Sequence, residues 1–181
     1  MIVDQSQFKF TDYVLSFQQT LISEWLNDQD VRNWSSMNAM SDDLGKSNVE
    51  QGYTWKTSPH KNMGYRIYPD AIKRYPKAWE MVSHFGHISW CAGYSFLDAN
   101  SKIDTHQDHD NTGKNVRIHI PLVLPDADTA HLGLRVNGVD TTWEKDKLLI
   151  FDNSLPHSAW NFTDNIRVIY LFDLPKDYCL L

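Results

Sequence analysis

The runs NVRIHIPLVL (115–124), HLGLRV (131–136), KLLIFD (147–152) and IRVIYLFDL (166–174) decide the fold. Each is short and rich in β-branched and aromatic residues, the types that suit a pleated, half-buried surface. Between them lie PDADTA (125–130), NGVD (137–140) and DNSLP (152–156), all turn chemistry. Asn137-Gly138 is a strong two-residue hairpin signal, because both positions tolerate positive φ. One further run, ISWCAGYSFL (88–97), precedes these and is followed by DANSK. Short strands at even spacing with no helix between them describe an antiparallel sandwich or jelly roll.

Upstream of residue 88 the pattern changes. In TDYVLSFQQTLISEWLND (11–28), Tyr13, Val14, Phe17, Leu21 and Trp25 fall on one helical face behind Thr11 or Asp12 as N-cap. The spacing predicts a helix over about 12–27. Residues 28–62 are polar and mixed, and are expected to be a long irregular segment of the sort that serves as a lid. PDAIKRYPKAWEMVSHF (69–85) reads as a second helix, with Pro69 at its start and Pro76 breaking or re-nucleating it. The expected organisation is a single domain over 1–181: a helical and irregular part over 1–87, packed on a β-rich core over 88–175.

Composition narrows the function classes. A chain of 181 residues with 41% hydrophobic and 22% charged residues is one globular domain, neither disordered nor fibrous. A net charge of −6 argues against a general nucleic-acid binder, whose affinity rests on neutralising phosphates. Cys91 and Cys179, far apart, exclude a disulfide framework and a cysteine-based zinc site. The amino-terminal MIVDQSQFKF lacks a basic and apolar leader, and no apolar run reaches membrane-spanning length. A cytoplasmic protein with no membrane and no nucleic-acid partner is the expectation.

The chemistry-bearing stretch is IDTHQDHDNTGKNVRIHIPL (103–122). His106 and Asp108 stand two apart, so on an extended strand imidazole and carboxylate share a face. His157, in LPHSAWN, begins a later strand. Two imidazoles and one carboxylate on one face of a metal form the facial triad of non-haem Fe(II) oxygenases, with positions open for a co-substrate and O2. The pair alone is weak, because about one His-x-Asp is expected by chance at this composition. His109 and Asp110 compete for the ligand role, although His109 points away from the His106 face if the strand is extended. Arg167 lies among β-branched and aromatic neighbours, where a guanidinium pairs with an internal carboxylate, reaches solvent from the strand's end, or anchors an anionic co-substrate. Arg117 and His119 alternate with Val116, Ile118 and Ile120, so both share one strand face. Ser95 can supply a hydroxyl one strand earlier. His60, His84, His87 and His131 have no ligand-like spacing. Trp55, Arg66, Tyr68 and Arg135 are candidates for a substrate cavity.

Taken in order, Tyr94-Ser95, His106-x-Asp108, RIHIPLVLP (117–125), Trp143 with DKLLIFDNSLPHSAWN (146–161), and Arg167 resemble the aspartyl/asparaginyl β-hydroxylase family of Fe(II)/2-oxoglutarate-dependent dioxygenases. The resemblance covers roughly the C-terminal half. It implies a double-stranded β-helix, the cupin-like jelly roll, with the N-terminal helices packed on it. It implies Fe(II) on His106 and His157, with Asp108 completing the ligand set. It further implies 2-oxoglutarate held at its distal carboxylate by Arg167 and Ser95, with Arg117 and His119 near its metal-bound end. O2 is then used to hydroxylate an amino acid or peptidyl residue, releasing succinate and CO2. The animal peptidyl hydroxylases of the family lack a carboxylate at the position of Asp108. In that respect this chain resembles the bacterial members, some of which hydroxylate free amino acids such as proline. The alternatives are a cupin-like metalloprotein without oxygenase chemistry and a non-catalytic jelly-roll binding module.

Overall fold

The computed structural model describes residues 1–28, 35–36, 55–108 and 113–181. Two antiparallel sheets face each other, and a layer of helices covers the outer side of the larger one. The strands are β1 (Ile2–Val3), β2 (Ser35–Ser36), β3 (Trp55–Asn62), β4 (Arg66–Ile67), β5 (Ala92–Leu97), β6 (Ser101–His106), β7 (Asn115–Val123), β8 (Leu132–Val136), β9 (Val139–Thr141), β10 (Leu149–Phe151), β11 (His157–Asn161) and β12 (Arg167–Pro175). The large sheet runs β1-β10-β7-β12-β5-β3-β2, with β4 paired to β3, and the small sheet runs β6-β11-β8-β9. This is the jelly roll expected from the run spacing. The helices are α1 (Thr11–Ser16), α2 (Gln18–Asn27), α3 (Pro69–Arg74), α4 (Pro76–Ser83) and the short α5 (Lys176–Cys179). Among the described residues no helix is long and apolar enough to cross a membrane.

Strand alternation sorts side chains into two cores. Val116, Ile118, Ile120 and Leu122 of β7 join Val168, Tyr170, Phe172 and Leu174 of β12 and Tyr94 and Phe96 of β5 beneath the helices. There they meet Val14, Leu21, Ala78, Met81 and Val82. Their neighbours at odd register, Leu97 and Ile169, point the other way and pack against Ile103, Leu134, Val136 and Ala159 of the small sheet. Hydrophobic burial therefore fixes which polar residues of β5, β7 and β12 enter the space between the sheets, because a one-residue slip would expose both cores.

Two details depart from the sequence reading, and a third goes beyond it. The helix expected over 12–27 is two helices that join at Phe17 (φ −88°, ψ −13°). The segment expected to be irregular over 28–62 ends in a strand, β3, whose Thr57, Ser58, His60 and Lys61 are buried despite their polarity. Its pairing with β5, and the helices beside it, supply the burial that composition did not announce. The third is in β7, where Pro121 has no N–H for the ladder and the pairing with β12 shifts register beside it. The Pro121 carbonyl instead accepts a hydrogen bond from the buried Gln18 amide at 2.8 Å, tying α2 to the sheet.

The approach of β3 to β5 leaves no room at Gly93. A Cβ there would stand 2.7 Å from both the Pro59 Cα and the Ser58 carbonyl oxygen, which are backbone atoms. Gly93→Ala should cost about 1–3 kcal/mol, lowering the melting temperature by about 2–4 °C per kcal/mol in a chain of this size. A thermal melt with an unchanged midpoint would contradict that close approach.

Candidate metal centre and anion cavity

On the inner face of the large sheet the alternation places Arg117 and His119 of β7, Ser95 of β5, and Arg167 and Asp173 of β12. The small sheet presents His157 at the start of β11, directly opposite His106 at the end of β6. The two imidazole centroids lie 4.3 Å apart. Asp108 stands just past the end of β6, where its N–H reaches the Asn153 carbonyl at 3.4 Å. The potential ligand atoms of His106, Asp108 and His157 all lie within 4.8 Å of one another.

Hydrogen bonds set the state of each group. His106 Nδ1 is 2.7 Å from the Asp104 carbonyl oxygen, and His157 Nδ1 is 2.8 Å from that of Leu155. A carbonyl only accepts, so Nδ1 carries a hydrogen in both rings, which leaves Nε2 as the ligand atom of each. Burial pushes the His157 pKa down to about 4 against the pull of Asp108, so this ring is neutral at physiological pH. Burial acts to raise the Asp108 carboxyl. The charge of Arg117, with His157, His106 and the Asn153 amide, outweighs it and holds the group below the usual carboxylate range. The result is two imidazole Nε2 atoms and one carboxylate turned toward one point, a donor set that suits ferrous iron.

Across a cavity that also touches Trp55, Leu134 and Phe151, Arg167 is 1% exposed. It meets no carboxylate among the described residues. Its Nη1 donates only to the carbonyl and hydroxyl oxygens of Ser95, both at a long 3.4 Å, and its buried Nε has no partner. Burial drops its pKa to about 9. The guanidinium lies over the Trp143 ring at 4.8 Å. The same indole donates Nε1–H to His119 Nδ1 at 3.0 Å, which leaves the hydrogen of that neutral imidazole on Nε2. Ser95 Oγ additionally accepts from Trp55 Nε1 at 3.0 Å. A buried cation with an unsatisfied donor, at the end of a cavity opposite a metal-ligand group, is suited to one end of a small dianion.

The profile described as Aspartyl/Asparaginyl beta-hydroxylase matches residues 19–177, most of the chain. The chain belongs to the aspartyl/asparaginyl β-hydroxylase family. It is 30% identical over 122 residues to the ornithine lipid ester-linked acyl 2-hydroxylase of Rhizobium tropici, covering 67% of this chain and 42% of that protein. It is 28% identical over 109 residues to the mouse aspartyl/asparaginyl beta-hydroxylase, covering 58% of this chain and 14% of that protein. The chain thus spans less than half the length of these relatives. Among solved structures, the Cnp3 cupin domain of Schizosaccharomyces pombe superposes with a TM-score of 0.42 at 14% identity, over 73% of this chain and 71% of that one.

Set in this family member, the residues singled out from sequence fall into three groups. His106, Asp108 and His157 come together, and Arg167, Ser95 and His119 face them across the cavity. Arg117, expected beside the metal-bound end of the co-substrate, lines the same cavity, with its fork on Asp173 and its Nη1 on Asp108 at 2.5 Å. Of the four candidates for a substrate cavity only Trp55 lines this one. Arg135 pairs with Asp140 at 2.5 Å on the outside of the small sheet, and Arg66 lies over Tyr68 at 5.6 Å, beside α3. His60 is a core residue among Tyr75, Trp79, Tyr94 and Tyr170. His131 bonds Asp128 at the surface, and His84 packs on Tyr13. His109 and Asp110, and most of the segment read as a lid, lie outside the described residues. Sequence reasoning missed Asp173, Asn153 and the packing role of Trp143. For Asp173 the signal was present, since it shares the odd register of Arg167, Ile169 and Leu171.

Proposed function

We propose that the chain is an Fe(II)/2-oxoglutarate-dependent dioxygenase that hydroxylates an amino acid or a peptidyl residue, with release of succinate and CO2. The observation that carries this is Arg167, a guanidinium buried without a carboxylate among the described residues and facing the His106, Asp108 and His157 group. Iron, when bound, would supply O2 activation and a chelation point for the keto acid. His106 and His157 would hold it through Nε2, and Asp108 through its carboxylate. Arg167, with the Ser95 hydroxyl, would bind the distal carboxylate and set the direction in which the keto acid lies. His119, its Nε2–H fixed by Trp143, would offer a neutral donor to the same molecule. The apolar walls from Leu134, Phe151 and Ile169 exclude water from the reacting centre.

Charge supports the same reading. Asp108 and Asp173 carry two negative charges, and Arg117 and Arg167 two positive ones. The group is balanced as it stands and stays balanced when a dication and a dianion enter together. A cupin-like metalloprotein without a co-substrate, or a non-catalytic module, gives Arg167 no anion to bind. Cys91 and Cys179 are free thiols, in keeping with a reaction placed in the reducing cytoplasm.

The test is turnover. Purified protein with Fe(II), 2-oxoglutarate and O2 is offered free amino acids including proline, short peptides, and an acylated amino-acid lipid, because one relative is named for acyl hydroxylation. Succinate formation coupled to a substrate gain of one oxygen is the expected result. Absence of succinate with every substrate, from protein shown to bind Fe(II), would rule the reading out.

A further inference from the structure

We propose that Asp173 is a positioning residue for the metal site, acting through Arg117 to fix the Asp108 carboxylate. The inference rests on the metal reading given above. Asp173 has no exposed surface and stands directly across the ladder from Arg117. Its two oxygens take Arg117 Nε and Nη2, each at 2.8 Å, so the guanidinium is held in its plane by a two-point fork. Only Nη1 is then directed outward, and it reaches Asp108 Oδ2 at 2.5 Å. The Asn153 amide closes the arrangement, donating to Asp108 Oδ2 at 3.3 Å and to Asp173 Oδ2 at 3.4 Å.

Asp108 needs such support more than the two histidines do. His106 and His157 are on strands and are oriented by carbonyls within their own turns, whereas Asp108 lies past the end of β6. A carboxylate on irregular backbone can rotate about its side-chain bonds. Here one of its oxygens is pinned by two donors whose own positions trace back to β12. Arg117 therefore serves the metal ligand. Lysine cannot span both acids, because an ammonium lacks the planar fork.

The experiment is titration of the metal-free full chain with Co(II), followed by its visible absorption, without co-substrate or turnover. Asp173→Asn should weaken Co(II) binding about 10–100-fold, the range typical of lost outer partners of a metal ligand, and should alter the absorption envelope. In an Asp108→Ala background the same substitution should have no further effect. Arg117→Lys, which keeps the buried charge, should show the same pattern and decides the matter if Asp173→Asn does not fold. Unchanged affinity in these variants, or an equal loss with and without Asp108, would overturn the proposal and leave the metal reading standing. A wild-type chain that binds no Co(II) would instead overturn the metal reading.

Discussion

An Arg167→Met chain should be more stable than the natural one and nearly unable to bind 2-oxoglutarate. Both effects have one cause. The guanidinium is fully buried and, among the described residues, faces no carboxylate, leaves its Nε unpaired and makes only long bonds to Ser95. Its packing over Trp143 returns part of that desolvation cost and no more. A methionine of similar length keeps the apolar contacts without the charge. Replacements of buried charges by apolar residues of like volume are commonly neutral or stabilising by about 1–4 kcal/mol. The melting midpoint should rise by about 2–4 °C for each of those kcal/mol. Losing one partner of a buried, charge-assisted contact costs about 2–5 kcal/mol, so the dissociation constant for 2-oxoglutarate should rise by a factor on the order of 30–5,000. Calorimetry of the metal-loaded protein checks the binding, and a thermal melt without ligand checks the stability. A destabilised Arg167→Met chain with unaltered co-substrate affinity would place the guanidinium in a structural role.

His157→Ala should remove metal binding altogether. The ring contributes one of two imidazole nitrogens, its tautomer is set by Leu155, and its partner His106 stands directly across the ladder. No other described histidine can replace it, His87 being exposed in the short turn after α4. His60 and His119 are buried and engaged elsewhere, His84 packs on Tyr13, and His131 is at the surface. The loss should exceed the 10–100-fold that an outer partner costs. Metal content after dialysis against Fe(II) under anaerobic conditions, compared with the natural chain, measures it. Equal metal content in both would remove His157 from the site. Circular dichroism separates this loss from unfolding, because the ring packs on Phe151 at 5.2 Å between centroids and its removal leaves a cavity.

The fold was legible where alternation is strong. In β7, β5 and β12 every second residue is apolar and belongs to the core under the helices, so the polar alternates could be assigned to one face from sequence. The strand β3 was not legible, because WKTSPHKN is polar, contains Pro59, and owes its burial to neighbours contributed from elsewhere. The break at Phe17 was hidden because its side chain continues the apolar stripe. At the site, the residue types and their order were visible, but the pairings were not. That His157 faces His106 is a matter of register between β11 and β6, and that Arg117 faces Asp173 is a matter of register between β7 and β12. Local spacing carries neither. Arg117 and His119 share a strand face, yet one is held by carboxylates and the other by an indole.

The central claim is that His106, Asp108 and His157 bind ferrous iron while Arg167 takes the far end of a dicarboxylate chelated to it. Anaerobic addition of 2-oxoglutarate to the Fe(II)-loaded chain, followed by visible charge-transfer absorption, measures both halves at once. The account predicts a saturable band in the natural protein, no band in His157→Ala, and a band that needs far more 2-oxoglutarate in Arg167→Met. A natural chain that takes up iron but gives no band at any 2-oxoglutarate concentration, or variants that titrate like it, would contradict the account.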